Sequence, residues 1–120
     1  MKILIVEDSQ DLGTVWKRHL ERLGAEVSLV QGQAHATHLL QDCFFDVIVL
    51  DLMLTEGSCL AIADFVSYRW PQTRVVFVTG STFFSDGSLF SYVGNACALV
   101  PRNGPPEDLA AVVQHYATAH

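Results

Sequence analysis

Residues 47–54 read VIVLDLML, an apolar run interrupted by one acidic residue, Asp51. The first four residues are mostly β-branched and do not alternate with polar ones, which is typical of a strand covered on both faces of a sheet. An unpaired ionised carboxylate next to such a stretch costs several kcal/mol. Asp51 is therefore predicted to belong to a functional site at the end of a central strand.

Three runs elsewhere resemble the first half of this stretch: ILIV at 3–6, VSLV at 27–30 and VVFV at 75–78. A fifth, weaker strand is expected at 96–100. Segments with helical periodicity separate the runs, and the alternation predicts a parallel sheet with helices on both faces. We expect an α/β, flavodoxin-like (βα)5 doubly wound sheet in the strand order 2-1-3-4-5, forming one domain over residues 1–120.

The helices are predicted from apolar stripes, and Gly24 is expected just beyond the end of the first one. The last helix is announced by Pro105-Pro106-Glu107-Asp108. A helix between the fourth and fifth strands is the weakest prediction, because loop formers at 85–88 interrupt its stripe. The clearer stripes are Leu12, Val15, Trp16, His19, Leu20 and Leu23; Ala36, Leu39, Leu40 and Cys43; Leu60, Ala63 and Val66; and Leu109, Val112, Val113 and Tyr116.

Composition excludes several classes of protein. Of 120 residues, 50% are hydrophobic, and thirteen acids against seven Lys and Arg give a formal net charge of −6. This balance argues against direct binding of nucleic acid or of an anionic membrane. Neither a signal peptide nor a membrane span is recognised, so a cytoplasmic location is expected. Three widely spaced cysteines suggest partly buried thiols rather than disulfides or a zinc site.

Polar residues follow three of the predicted strands: Glu7 and Asp8, then Asp51, then Thr79. Ligands bind beyond the carboxyl ends of the strands in such sheets, so the three acids are expected to converge on one crevice. Clustered carboxylates need a cation, and Mg²⁺ with a phosphoryl group satisfies this requirement. A carboxylate in such a site can itself attack phosphorus, and Asp51 suits this role best.

Less specific interpretations exist for the individual residues. Asp8 or Ser9 could simply cap the first helix, and Thr79 could cap the turn that follows it. The histidines His35 and His38 lie three residues apart, but without a third ligand they are expected to be exposed helix residues rather than metal ligands.

The same residues resemble the receiver domain of bacterial response regulators. The resemblance covers essentially the whole chain, through the motifs IVED at 5–8, VLDLML at 49–54 and VTG at 78–80. It implies that Asp51 accepts a phosphoryl group from a histidine kinase or a histidine phosphotransfer protein. It also implies that Glu7 and Asp8 hold Mg²⁺ together with Asp51, with Asp8 direct and Glu7 through water. The backbone carbonyl of Met53 would be a further ligand, and Thr79 would bind a phosphoryl oxygen.

The resemblance further implies a downstream protein partner, bound through the helix before the fifth strand and that strand, and it allows a homodimer. Two positions depart from the family pattern. Receivers usually carry a lysine at the end of the fifth strand and an aromatic residue three positions earlier, and these positions fall on Pro101 and Ala98. The two lysines of the chain, Lys2 and Lys17, both lie near its start. Arg102 could substitute, but neighbouring residues of an extended chain point in opposite directions, so a solvated surface arginine is the preferred interpretation.

The departures leave an alternative function open, a pseudo-receiver that binds proteins independently of phosphorylation. An aspartyl phosphatase of the haloacid dehalogenase type is disfavoured, because it needs a second aspartate where Met53 stands. A flavin-binding protein would need a Ser/Thr/Gly-rich loop in place of residues 7–11. We therefore expect a protein that receives a phosphoryl group and is not an enzyme in the ordinary sense.

Overall fold

A computed structural model describes residues 1–80 and 95–118. Five parallel strands form one sheet in the order β2-β1-β3-β4-β5, which confirms the predicted doubly wound topology. The helix predicted between the fourth and fifth strands lies outside the described residues. The strands are β1 (Lys2–Val6), β2 (Glu26–Val30), β3 (Val47–Asp51), β4 (Arg74–Thr79) and β5 (Ala96–Pro101).

Local sequence signals explain where the helices begin and end. The hydroxyl groups of Ser9 and Ser58 accept hydrogen bonds from backbone N–H groups in the first turn of their helices, as N-cap residues do. Gly24 has φ +91°, the left-handed conformation that terminates a helix and that glycine adopts without strain. The helices are α1 (Gln10–Arg22), α2 (Gln33–Asp42), α3 (Cys59–Arg69) and α4 (Pro106–Thr118).

The sheet separates two hydrophobic cores. On one face, Leu4 and Val6 of β1 pack with residues of α2 and α3. On the other face, Ile3 and Ile5 pack with residues of α1 and α4. Each of these side chains is fully buried, and full burial of one Leu, Ile or Val contributes about 2 kcal/mol. The cores fix the sheet and thereby the positions of the residues at the ends of its strands.

The predicted helical stripes are right in period and partly wrong in their members. Leu60 is 43% exposed, whereas Ile62 is fully buried beside Ala63 and Val66. Val15 and Leu23 are likewise exposed. The rotation of each helix depends on the shape of the sheet beneath it, which the spacing of apolar residues does not encode. Within residues 1–80 and 95–118, no helix is both long and apolar enough to cross a membrane.

Candidate functional site

The carboxyl ends of β1, β3 and β4 lie at one edge of the sheet. The register sets Val6 beside Leu50, and Asp51 beside Val78. The loops that follow these strands surround an open cleft of about 440 Å³. We call it the carboxylate cleft. It is lined by Asp8, Ser9, Asp51, Met53, Thr55, Gly80 and Arg102.

Asp51, the last residue of β3, is only 2% exposed. Its Oδ1 accepts a hydrogen bond of 2.9 Å from the N–H of Met53, while its Oδ2 lies 3.7 Å from Nε of Arg102. Burial raises the pKa of Asp51 to about 6; the Met53 N–H opposes this shift, and the negative charge of Glu7 adds to it. Above that pH the carboxylate is ionised and more basic than an ordinary aspartate, which favours a nucleophilic role.

Glu7 is completely buried directly after β1. Its Oε1 accepts a hydrogen bond from Nε of Arg102 at 2.9 Å, and its Oε2 accepts one from Nη2 at 3.1 Å. The N–H of Ser9 donates a third bond to Oε2, at 2.9 Å. A buried carboxylate requires such compensation. Both oxygens of Glu7 are thus bound by protein donors.

Asp8 has a different role from helix capping. Ser9 caps α1, since its hydroxyl accepts a bond from the N–H of Leu12 at 3.2 Å. Oδ2 of Asp8 instead accepts a bond of 2.7 Å from the N–H of Thr55, across 47 residues of sequence. This contact holds the loop after β3 against the end of β1 and keeps Asp8 in the wall of the carboxylate cleft.

Thr79 closes β4 opposite Pro101, the last residue of β5. Thr79 is buried, and its carbonyl accepts a hydrogen bond of 2.8 Å from the backbone N–H of Arg102. Met53, by contrast, is largely exposed. All five residues predicted for the site therefore lie at this one edge of the sheet, although Glu7 and Thr79 do not line the cleft.

The preferred interpretation of Arg102 as a solvated surface residue is wrong. Its guanidinium forms the bidentate ion pair with Glu7 and approaches Asp51. The argument from alternation fails because β5 ends at Pro101 and the chain then turns, with the N–H of Gly104 donating to the carbonyl of Pro101 at 3.3 Å. The turn-forming composition of residues 101–105, PRNGP, was a signal that the strand stops there.

The chemistry of the predicted donor set fits Mg²⁺, which prefers oxygen ligands. No group of three His, Cys, Asp or Glu side chains arranged to hold a metal occurs in the described part of the chain. Asp8 and Asp51 nevertheless line the same cleft beside Met53. Mg²⁺ typically binds one or two carboxylates and otherwise water and phosphate oxygens. Both oxygens of Glu7 accept hydrogen bonds from Arg102 in this arrangement.

Other candidate ligands lie apart from the cleft. His35 and His38 are exposed on α2, as predicted. The three cysteines are free and half-buried, also as predicted. Burial raises the pKa of the Cys97 thiol to about 11, which makes this thiol a poor nucleophile.

A family model, two sequence relatives and a solved structure are similar to this chain. The family model described as "Response regulator receiver domain" matches residues 3–88. The response regulator protein PilR of Pseudomonas aeruginosa is 31% identical over 78 residues, 65% of this chain and 18% of PilR. The alginate biosynthesis transcriptional regulatory protein AlgB of Pseudomonas putida is 35% identical over 78 residues, 65% of this chain and 17% of AlgB. The chain thus spans less than a fifth of either relative.

In structure, it resembles the non-phosphorylated HemR receiver domain from Leptospira biflexa, with a TM-score of 0.88 and 23% identity over 99% of this chain and 95% of that one.

Proposed function

Because this chain belongs to the response regulator receiver domain family of two-component signalling, we propose that it accepts a phosphoryl group on Asp51. The observation that carries the proposal is the environment of Asp51. Its carboxylate is buried and made more basic, yet it forms part of an open cleft. Because Oδ1 accepts a hydrogen bond from the Met53 N–H, we assign the attack to Oδ2.

The donor would be a phosphohistidine of a histidine kinase or of a histidine phosphotransfer protein. Oδ2 of Asp51 forms a new bond to phosphorus, and the P–N bond of a phosphohistidine protonated on its other ring nitrogen breaks. The electron pair of that bond stays on nitrogen, so the ring leaves as neutral imidazole. Thr79, the last residue of β4, would donate a hydrogen bond from its hydroxyl to a phosphoryl oxygen. The protein then carries the acyl phosphate as a signal, and it does not turn over a substrate as an enzyme.

Asp8, Asp51 and the carbonyl of Met53 are the groups that would hold Mg²⁺ in this cleft. When bound, the ion supplies positive charge to the transferring phosphoryl group and to the carboxylates. Asp8 is kept at the cleft wall by its bond to Thr55. Glu7 stays the predicted water-mediated ligand, since its Oε1 accepts one bond, from Nε of Arg102, and has a further lone pair for a metal-bound water.

A second candidate function is a pseudo-receiver whose protein binding does not depend on phosphate. Two positions favour it. Pro101 stands where the family lysine is expected, opposite Thr79. Ala98, in place of the aromatic residue, pairs with Val76 and offers only a small side chain. A receiver without these two groups lacks the usual means of transmitting phosphorylation to its surface.

Phosphorylation is tested directly by intact mass spectrometry after incubation with acetyl phosphate and Mg²⁺. We expect a mass gain of one phosphoryl group in wild type, none in Asp51→Asn and an unchanged gain in Asp64→Asn, which replaces an exposed aspartate on α3. Equal labelling of Asp51→Asn would refute the assignment of the acceptor. No labelling of wild type would favour the pseudo-receiver.

The proposed partners are the phosphodonor protein and a downstream protein that binds near β5 and the segment before it. A cytoplasmic location accords with both. Affinity purification with wild type and with Asp51→Asn tests whether partner binding depends on phosphorylation. Loss of a partner in Asp51→Asn supports the receiver function, and identical recovery supports the pseudo-receiver.

A further inference from the structure

We propose that Arg102 is the cation that holds the phosphoryl group on Asp51, in place of the lysine that the family places one residue earlier. The inference rests on the proposed phosphorylation of Asp51 and names a residue that the family pattern does not supply. It is carried by four observations, which concern the reach of the side chain, its anchoring, its charge and its link to Thr79.

The reach of Arg102 is established by its contacts. From the turn after β5, its guanidinium contacts Glu7 after β1 and comes within 3.7 Å of Asp51 on β3. The nearer oxygen of Asp51 is Oδ2, and Oδ1 is occupied by the N–H of Met53. A phosphoryl group added to Oδ2 would therefore be placed beside the guanidinium.

Glu7 anchors the guanidinium in this position. It accepts bonds from Nε and Nη2 of Arg102 and is itself held by the N–H of Ser9. These two bonds use only part of the donor capacity of a guanidinium, which carries further N–H groups for a phosphoryl oxygen. Glu7 thus acts as a positioning residue, and it orients Arg102 before any phosphoryl group arrives.

The charge balance of the site requires a cation at this point. Arg102 is ion-paired with Glu7, and its Nε lies 3.7 Å from Oδ2 of Asp51. A guanidinium is effectively always protonated in a protein. Its side chain is 32% exposed, which gives a phosphoryl group access to it. Phosphorylation adds negative charge to a site already rich in it, and a planar, forked cation binds phosphate oxygens well.

Arg102 also connects the site to the edge of the sheet. Its backbone N–H donates to the carbonyl of Thr79 at 2.8 Å, so the turn that carries Arg102 is held beside the residue expected to bind the phosphoryl group. This link joins β4 to the turn after β5 without the aromatic residue that Ala98 replaces.

The alternative is a purely structural role, in which Arg102 serves only as a counterion that stabilises buried Glu7. The two roles differ in what happens on phosphorylation. A purely structural arginine would keep its contacts when Asp51 is modified, whereas a phosphoryl ligand would change its chemical environment. The side-chain Nε–H signal of Arg102 in a ¹⁵N NMR spectrum reports this directly, and Arg102→Gln assigns the signal.

The experiment adds beryllium fluoride with Mg²⁺, a mimic of the phosphoryl group, to labelled wild type and to Asp51→Asn. We expect the Arg102 Nε–H signal to shift in wild type and not in Asp51→Asn. In parallel, acetyl phosphate labelling is followed in Arg102→Gln, Arg102→Lys and the control Arg18→Gln, which replaces an exposed arginine of α1. Loss of a charged hydrogen bond to the phosphoryl group should reduce labelling of Arg102→Gln about tenfold, with partial recovery in Arg102→Lys and none of this loss in Arg18→Gln.

The outcomes separate the two proposals. Labelling of wild type with an unmoved Arg102 signal, or equal labelling of wild type and folded Arg102→Gln, overturns the role of Arg102 and leaves Asp51 as the acceptor. A wild type that takes up neither phosphate nor beryllium fluoride overturns both proposals. Thermal melting shows whether Arg102→Gln is folded. If it is not, Arg102→Lys, which also lacks the Nε–H, assigns the wild-type signal.

Discussion

The two halves of the carboxylate cleft differ in how closely they follow the receiver pattern. The half built by β1 and β3 has the acidic residues in their expected places, with Glu7 and Asp8 after one strand and Asp51 at the end of the other. The half built by β4 and β5 keeps Thr79 but has Pro101 and Ala98 where a lysine and an aromatic residue are usual. In the structure, Arg102 extends from the second half to Glu7 in the first. A positive charge therefore lies between the two halves, although Pro101 stands at the sequence position where receivers usually carry a lysine.

The largest expected effect comes from removing the cation that joins the halves. Arg102→Gln leaves buried Glu7 without its counterion, and we expect it to lower the free energy of unfolding by about 3 kcal/mol. Urea unfolding measures this loss. The double substitution Glu7→Gln with Arg102→Gln should recover most of it, because no unpaired charge stays buried, and Arg18→Gln should match wild type. An Arg102→Gln protein as stable as wild type would show that the halves are not electrostatically joined.

A smaller effect concerns the charge on Asp51 within the first half. Its folded pKa is raised to about 6 from 3.8, so the folded state holds its proton more tightly than the unfolded state. The contribution of Asp51 to stability should therefore fall as pH rises from about 4 to about 6 and stay lowered above that range, by about 2 kcal/mol once solvent screening in the open cleft is allowed for. At neutral pH, Asp51→Asn should be more stable than wild type by about 2 kcal/mol.

Urea unfolding of both proteins without Mg²⁺ at several pH values measures this dependence. Asp64→Asn controls for the loss of one acidic group at an exposed position. A stability difference between wild type and Asp51→Asn that is the same at pH 4 and pH 7 would contradict the proposed cause.

The smallest effect concerns the loop between β3 and α3. Asp8→Ala removes the acceptor of the Thr55 N–H, and a bond of this kind, partly open to solvent, contributes about 1 kcal/mol. We expect faster hydrogen exchange of the Thr55 amide in Asp8→Ala, with exchange in the core strands little changed. Ser9→Ala, which removes the neighbouring helix cap, serves as the comparison. Equal protection of Thr55 in wild type and Asp8→Ala would show that the loop is held by other contacts.

The fold was predictable because its signals are local and repeated. Five apolar runs predict the five strands, and the helical periods predict the four helices within residues 1–80 and 95–118. The receiver resemblance agrees with the observed strand order. The positions of Asp51 and Thr79 at strand ends were equally predictable from the sequence, since each directly follows a buried apolar run. The prediction of which helix residues are buried was partly wrong. Leu60 is exposed instead of buried because the rotation of α3 is set by contacts with the sheet.

The sequence by itself determined the doubly wound sheet and the acidic residues at its carboxyl edge. Both are visible in short stretches of the chain, as apolar runs and as the polar residues that end three of them. Tertiary structure alone decided that Ser9 rather than Asp8 caps α1, and that Arg102 pairs with a residue 95 positions away. The physical reason is electrostatic: the long, charged side chain of Arg102 extends from its turn to pair with a buried carboxylate. That destination depends on strands that are adjacent in space and distant in sequence.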